Sequence, residues 1–269
     1  AEKAMELILA LVTPQQKDLL LTNRELDFSY SLADQARFRI NAYFEKGRVA
    51  AALRLIPTKI KTMAELRLPK VCQGLTNLKQ GFVLVTGPTG SGKSSTLAPM
   101  IEEINVTRAE QNITIEDPIE YLYWPKKSMV SQRELHADTH SWAVALKSVL
   151  REDPNVVLVG EMRDFDTIAA AITVAETGHL VFATLHTNSA ALSIDRIIDV
   201  FPEHQQGQIR QQLASSLEAV LSQRLIPSVK GGRIPAMEIL LATPAVRNLI
   251  REGKSHQIDS VIQTSGELG

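Results

Sequence analysis

The chain has 269 residues, of which 44% are hydrophobic, and its formal net charge is −1 at pH 7. This length predicts one large domain or two smaller ones with a buried core. The balanced charge excludes a basic nucleic-acid-binding arm, and the single cysteine excludes a disulfide framework and a multi-cysteine zinc site. The least polar long stretch, residues 165–194, is interrupted by charged residues and histidines, so we expect a cytoplasmic protein.

The first region alternates between polar and apolar residues in three runs, FSYSL, RFRINAYF and RVAAALRLI, which lie within residues 24–56. An alternation with a period of two is typical of antiparallel strands with one solvent-exposed face. We therefore predict an antiparallel-sheet domain in residues 1–56. The next stretch, residues 57–70, contains two prolines and scattered charges, and we expect it to be a linker or hinge.

The second region, from residue 81 onward, alternates apolar strand-like runs with helical segments. The runs are FVLVT, NITIE, NVVLVGE and LVFATLH. This alternation is typical of a mostly parallel sheet covered by helices. The predicted fold class is thus α/β, with the antiparallel-sheet domain in front of a larger domain at residues 71–269.

The first of these runs leads into GPTGSGKS, which matches the phosphate-loop pattern G-x-x-x-x-G-K-[ST]. The glycines allow backbone N–H groups to surround an anion, and the positive end of the following helix points to the same place. Lys93 would neutralise phosphate charge and the Ser94 hydroxyl would bind Mg²⁺, so ATP and Mg²⁺ are the predicted cofactors. The alternative is a glycine turn without a ligand. The predicted nucleotide-binding residues are Gly87, Pro88, Thr89, Gly90, Ser91, Gly92, Lys93, Ser94 and Ser95.

The other groups that ATP hydrolysis needs are a carboxylate for the metal ion and a group that orients or deprotonates water. In a parallel sheet, such groups lie at the carboxyl ends of the strands, where ligands bind. The three later runs end at Glu116, Glu161 and His186. We therefore predict that these side chains lie at the same end of the sheet as the phosphate loop.

Each of these residues has a functional and a structural explanation. We predict that Glu161 holds Mg²⁺ through water, and a helix-capping carboxylate is the alternative. Glu116, supported by Asp117, is the predicted base, and an acidic turn is its alternative. His186 would sense the γ-phosphate, whereas His179, at the opposite end of the same strand, fits a subunit interface or second site. A satisfied structural histidine is the alternative for both.

Together these segments resemble the secretion-type hexameric ATPases, and most closely the PilT-type retraction motors of type IV pili. The matching motifs are GPTGSGKSST (Walker A), ITIEDPIEY (aspartate box), REDPNVVLVGEMRD (Walker B) and TGHLVFATLHTN (histidine box). A further segment, PAVRNLIREGKSHQIDSVIQTS, resembles the carboxyl-terminal part of the family. Motif order and spacing agree over residues 25–265. Because the family's opening segment is missing, we expect a chain that is shortened at both ends.

The resemblance implies a RecA-like ATPase domain that follows a partial PAS-like domain, assembled as a homo-hexamer. It also implies that arginines of the first domain, matched here by Arg39, Arg48 and Arg54, complete the ATP site by stabilising charge on the γ-phosphate. A solvated sheet face is the alternative for these arginines. Further candidates for a sensor or an interface are Asp117, Arg163 and His179.

The function that follows is an ATP-hydrolysing ring motor that withdraws pilin subunits from a fibre, with closure across the hinge at residues 57–70. The resemblance implies an inner-membrane platform protein as direct partner, the pilin fibre as indirect partner, and a cytoplasmic location peripheral at the inner membrane.

Three alternatives accompany this prediction. A pilus-assembly or type II secretion ATPase usually carries a four-cysteine zinc module, which a chain with one cysteine cannot build. A nucleic-acid translocase is disfavoured because only 5% of the residues are aromatic and the charge is balanced, so we expect no nucleic-acid partner. The third alternative is a partner protein that binds ATP without hydrolysing it.

Overall fold

The structure is a computed structural model that describes residues 2–33, 36–56 and 59–266. The chain divides into two compact units, residues 1–60 with 118–122 and residues 61–117 with 123–269. Residues 57 and 58 of the predicted linker lie outside the described residues, and residues 61–70 belong to the second, larger unit.

The small unit consists, in its described residues, of helices and a three-stranded antiparallel sheet. Its elements are α1 (Glu2–Leu9), α2 (Pro14–Asn23), β1 (Glu25–Leu32), β2 (Ala36–Glu45) and β3 (Arg48–Ile56). The strands follow the order β1-β2-β3. Helix α2 begins at a capping box, in which the Thr13 hydroxyl accepts from the Gln16 N–H and the Gln16 side chain accepts from the Thr13 N–H.

The faces of this small sheet differ in polarity because successive strand residues point in opposite directions. The apolar face packs with the two helices in a core that contains Ile8, Leu20, Phe28, Ile40, Ala42 and Val49. On the polar face, Arg39 of β2 lies directly opposite Ser29 of β1 and Arg54 of β3. The alternation of polar and apolar residues thus becomes a sheet with one covered face, as predicted.

The large unit is built on a seven-stranded sheet. Its strands are β4 (Gly81–Thr86), β5 (Gln111–Glu116), β6 (Met129–Glu134), β7 (Val156–Val159), β8 (Leu180–Leu185), β9 (Leu217–Pro227) and β10 (Arg233–Leu241). They follow the order β10-β9-β4-β8-β7-β5-β6. All neighbours are parallel except β10, which pairs with β9 in antiparallel orientation. The α/β prediction, a mostly parallel sheet with a separate antiparallel sheet, is confirmed.

Helices precede, connect and follow these strands. They are α3 (Lys70–Thr76), α4 (Lys93–Thr107), α5 (Trp142–Val149), α6 (Phe165–Glu176), α7 (Ala190–Asp199), α8 (Glu203–Ser216), α9 (Pro244–Arg251) and α10 (Ile258–Thr264), with a 3₁₀ turn at Ser255–Gln257. Several begin at a polar side chain that accepts an N–H of the first turn, namely Ser141, Asp164, Ser189 and Thr243. Helix α4 differs, because it begins at Gly92 without a side-chain cap.

The central strands β4, β7 and β8 are buried along their whole length, as expected for parallel strands that helices cover. Polar side chains therefore concentrate where the strands end. Among the described helices, none is both long enough and apolar enough to span a bilayer.

Candidate nucleotide site

The phosphate loop connects the end of β4 at Thr86 to the start of α4 at Lys93. Three of its glycines have positive φ, with values of 143° at Gly87, 79° at Gly90 and 90° at Gly92. Residues with a side chain rarely adopt these angles, so the curvature of the loop depends on glycine. The loop leads into the first turn of α4, which has no side-chain cap. As in every helix, the first backbone N–H groups of α4 have no partner within the helix. This arrangement suits an anion.

Lys93 folds back over this loop. Its ammonium group donates to the carbonyl oxygen of Gly87 at 2.9 Å and to that of Pro88 at 3.3 Å, and the residue is 9% exposed. Within the described residues, the buried hydroxyl of Ser91 has no hydrogen-bond partner. Ser94 and Ser95 follow Lys93 in the first turn of α4. A cation held inside a glycine-rich loop fits the phosphates of a nucleotide with its Mg²⁺.

The carboxylate that follows β7, Glu161, is held by two side chains. Its Oε1 accepts from His186 Nε2 at 2.9 Å and from Arg163 Nε at 2.7 Å, while its Oε2 accepts from Arg163 Nη2 at 2.8 Å. The carboxylate that caps α6 is that of Asp164, not Glu161. The capping alternative for Glu161 therefore does not describe this structure.

The charges around Glu161 determine its protonation. Burial alone would raise the pKa of the Glu161 carboxyl, but the hydrogen bond and charge of Arg163, with the charges of His186 and Lys93, lower this pKa below its ordinary value. The hydrogen bond and the charge of Glu161 in turn raise the pKa of Arg163, and the negative charge of Asp117 raises it further. Glu161 is thus ionised at neutral pH and available to a cation.

His186 follows β8 and connects Glu161 to the phosphate loop. Besides its contact with Glu161, its Nδ1 lies 3.5 Å from the hydroxyl oxygen of Thr89. Because a carboxylate only accepts, Nε2 carries a proton, and in the neutral ring Nδ1 can then accept from the Thr89 hydroxyl. Arg163, Glu161, His186 and Thr89 therefore form a chain of contacts from the end of β7 to the loop.

Glu116, at the end of β5, accepts hydrogen bonds from the side chains of Thr114 and Gln132. The residue is 8% exposed, and its Oε1 accepts from the Thr114 hydroxyl at 2.6 Å and from Gln132 Nε2 at 3.2 Å. A Cβ on Gly160 of the neighbouring chain segment would lie 3.2 Å from the Glu116 Cα, so the glycine allows this close approach. Glu134 of β6 lies directly beside Glu116 in the sheet and is also buried.

The remaining predicted residues lie elsewhere. His179 precedes β8, and its Nδ1 lies 3.0 Å from the carbonyl oxygen of Val174 and 3.0 Å from the Thr177 hydroxyl, at the end of α6. It is thus at the opposite end of its strand from His186. Arg39, Arg48 and Arg54 belong to the small unit, where Arg48 pairs with Glu45 in the β2–β3 ladder.

Several residues near the loop belong to no motif or periodic pattern that would predict their position from the sequence. A cavity of about 370 Å³ opens beside the first turn of α4, large enough for a small organic group. Three separate segments line it, the stretch around Arg67, the turn at Gly92–Thr96, and the β9–β10 hairpin with Arg233. Gln223 of β9 also contacts the phosphate loop directly. These contacts join segments that are far apart in the chain, so periodicity and motif spacing cannot reveal them.

Comparison with known proteins agrees with this geometry. The sequence model of the family described as Type II/IV secretion system protein matches residues 54–267. The chain belongs to this family. It is 53% identical to the Type IV pilus retractation ATPase PilT of Pseudomonas aeruginosa, over 91% of this chain and 71% of that protein. It is 51% identical to the Twitching motility protein of Neisseria gonorrhoeae, over 100% of this chain and 72% of that protein.

A solved structure is similarly close. The crystal structure of the pilus retraction motor PilT with bound ADP superimposes with a TM-score of 0.92 at 49% identity, over 97% of this chain and 76% of the other. The predicted resemblance to the PilT-type ATPases is therefore confirmed.

Proposed function

We propose that this protein is an ATP-hydrolysing motor that powers type IV pilus retraction, and with it twitching motility. The observation that carries the proposal is the chain of contacts from Arg163 through Glu161 and His186 to Thr89 of the phosphate loop. It joins the ends of three strands at one place, in a chain that is 53% identical to a retraction ATPase. The products are ADP and phosphate.

The phosphate loop and α4 form the binding part of the proposed site. Residues 87–95 surround the phosphates, and the Lys93 ammonium neutralises their charge. The Ser94 hydroxyl and Glu161 would hold Mg²⁺, Glu161 through water. Mg²⁺, when bound, would reduce the charge repulsion between the β- and γ-phosphates. The cavity beside α4 would take the nucleoside.

Glu116 is the proposed base. It accepts a proton from the water that attacks the γ-phosphorus, while the bond from that phosphorus to the β–γ bridging oxygen breaks and ADP leaves. Thr114 and Gln132 donate to one of its oxygens, which orients the carboxylate. Asp117, the next residue, would support Glu116. His186, which contacts both the loop and Glu161, would sense the γ-phosphate, and Arg163, which is bound to Glu161, is a further candidate sensor.

A homo-hexamer is the proposed assembly, in which Arg39, Arg48 and Arg54 complete the site of a neighbouring subunit. Arg39 and Arg54 lie directly opposite each other on the polar face of the small sheet. Like charges in this position destabilise a sheet, so an anion that lies against them would offset the repulsion. His179 would lie at an interface or second site.

The proposed partners act at a membrane. We expect the ring to lie on the cytoplasmic side of the inner membrane, where it contacts a pilus platform protein and moves the pilin fibre indirectly. Closure of the two units across the predicted hinge at residues 57–70 would transmit the force. Nucleic acid is not part of this proposal.

Phosphate release tests the enzymatic part of the proposal. Purified wild type should release phosphate in the presence of Mg²⁺ and ATP, whereas Glu116→Ala and Glu161→Ala should be far slower at the same hexamer content, as measured by gel filtration. Equal, near-zero turnover of all three intact proteins would instead indicate a partner that binds ATP without hydrolysing it.

Deletion of the gene tests the direction of the motor. Cells that lose a retraction ATPase should carry excess pili that do not shorten. Cells without any pili would instead indicate an assembly ATPase.

A further inference from the structure

Gln223 of β9 connects two parts of the phosphate loop. Its Nε2 donates to the carbonyl oxygen of Ser91 at 2.7 Å, and its Oε1 accepts from the Thr96 hydroxyl at 2.6 Å. The residue is 2% exposed. Ser91 lies inside the loop, whereas Thr96 lies in the first turns of α4. One buried amide therefore ties the loop to the helix that follows it.

The loop glycines also pack against this residue. A Cβ on Gly87 would lie 2.3 Å from the carbonyl oxygen of Gln223, and a Cβ on Gly92 would lie 2.8 Å from its Nε2. A side chain at position 87 would thus collide with the backbone, and one at position 92 would displace the Gln223 amide, so both glycines favour the contact with Gln223 in addition to allowing the positive φ. Gln223 thus adjoins the loop at its beginning, middle and end.

The strand that carries Gln223 explains this position. Thr86, the last residue of β4, pairs with Ser222 in the parallel β4–β9 ladder. Gln223 is the next residue, so it lies where β4 turns into the loop. The same strand continues into the β9–β10 hairpin, and Gln223 also lines the cavity beside α4. A single side chain therefore borders both the loop and the cavity.

We propose that Gln223 is a positioning residue that presets the phosphate loop for the nucleotide. This inference rests on the proposed function, in which a nucleotide is the ligand of the loop. Without the amide, the Ser91 carbonyl loses its donor and the Thr96 hydroxyl loses its acceptor. The loop then has to be ordered when the nucleotide binds, which weakens binding. The chemistry of the bound nucleotide is unaffected.

Binding and turnover together test this role. We would measure the Kd of Mg-ADP by calorimetry, and kcat and KM for ATP, on full-chain hexamers of wild type, Gln223→Met, Thr96→Val and Thr96→Ser. Gln223→Met should raise Kd and KM about tenfold, and Thr96→Val by about threefold, with kcat within about twofold of wild type. Thr96→Ser keeps the hydroxyl and should bind like wild type.

Two controls separate this role from general stability. Ser222→Ala changes the next residue of the same strand, whose side chain points to the other sheet face, and should leave Kd unchanged. The double variant Gln223→Met/Thr96→Val should bind like Gln223→Met alone, because both single changes remove the same hydrogen bond. The thermal shift on addition of Mg-ADP should shrink in Gln223→Met, which a purely structural role would not cause.

The other possible results would contradict the proposed role of Gln223. A folded Gln223→Met hexamer with wild-type Kd and KM overturns the inference. If that variant does not fold, a Thr96→Val protein that binds as tightly as wild type overturns it. Suppose that wild type and Gln223→Met bind Mg-ADP equally well and that Lys93→Ala does not bind it. This result overturns the role of Gln223, while the proposed function stands. A wild-type hexamer that does not bind Mg-ADP overturns both.

Discussion

The two carboxylates at the carboxyl ends of β5 and β7 are held in different ways. Glu161 receives hydrogen bonds from the side chains of Arg163 and His186, both of which can carry positive charge. Glu116 receives them from the hydroxyl of Thr114 and the amide of Gln132, which are neutral. Glu116 is the last residue of β5, and Glu161 follows the end of β7 by two residues, so both lie at the carboxyl end of a parallel strand.

The end of a strand thus determines where a carboxylate lies, whereas the side chains that bind the carboxylate determine what it can do chemically. Cationic partners keep Glu161 ionised and its pKa low, which suits a group that holds a metal ion. The Thr114 hydroxyl and the Gln132 amide orient the Glu116 carboxylate, which suits a group that has to accept a proton from a water molecule in a defined position. The following predictions test this contrast.

Removal of the proposed base should have the largest effect. Glu116→Gln keeps the size of the side chain but cannot accept the proton, so we expect kcat for ATP to fall by about 10²- to 10⁴-fold with little change in the Kd of Mg-ADP. Steady-state phosphate release and calorimetry measure the two quantities. A matched control is Glu134→Gln, which changes the buried glutamate beside Glu116 and should cost much less. Equal losses in both variants would contradict the role of Glu116.

Removal of the proposed metal-holding carboxylate should act on Mg²⁺. In Glu161→Gln, Arg163 and His186 lose their anionic partner, and we expect half-maximal activity to require about 10- to 100-fold more Mg²⁺. The measurement is a Mg²⁺ titration at saturating ATP. An unchanged Mg²⁺ requirement would show that Glu161 does not hold the metal, and the contrast between the two carboxylates would then lose its functional meaning.

Loss of the donor to Glu116 should have a smaller effect. Thr114→Val removes the 2.6 Å hydrogen bond while it keeps the shape of the side chain, so we expect kcat to fall about tenfold with KM unchanged. Thr114→Ser retains the hydroxyl and should recover most of the activity. Comparable kcat values for the valine and serine variants would show that this hydrogen bond does not orient the base.

The last prediction concerns stability and no change in ATP turnover, at a thiol whose pKa is determined mainly by burial. Burial raises the pKa of the Cys72 thiol to about 11 and outweighs the opposing effect of its backbone hydrogen bond, whereas at Glu161 the positive charges outweigh burial. Above the ordinary pKa of 9.0, the unfolded chain loses this proton while the folded chain keeps it. The free energy of unfolding should therefore fall by about 1.4 kcal/mol per pH unit from this group until the folded thiol also ionises.

Comparison with Cys72→Ala isolates that contribution from other groups that titrate at high pH. Urea unfolding of both proteins between about pH 8 and 11 should show the stability advantage of wild type decreasing as the pH rises. A constant difference across this range would contradict the raised pKa.

Much of the site could be predicted from the sequence because strand ends are a local feature. Apolar runs that end at Glu116, Glu161 and His186 predict that these residues share one end of the sheet, and the contact between Glu161 and His186 agrees with this. The alternation of polar and apolar residues likewise predicts the antiparallel sheet of the small unit. Such patterns follow from the two-residue period of a strand and from the burial of parallel strands.

By itself, the sequence determined the fold class, the phosphate loop and the strand that supplies each of these side chains, because backbone geometry translates local patterns directly into elements. Only the tertiary structure decided the partners of those side chains. Gln223 reaches Ser91 across 132 positions of the chain and Thr96 across 127, through a pairing of β4 with β9 that no local pattern encodes. Hydrogen bonds depend on distances in space, and the order of the strands in the sheet sets those distances.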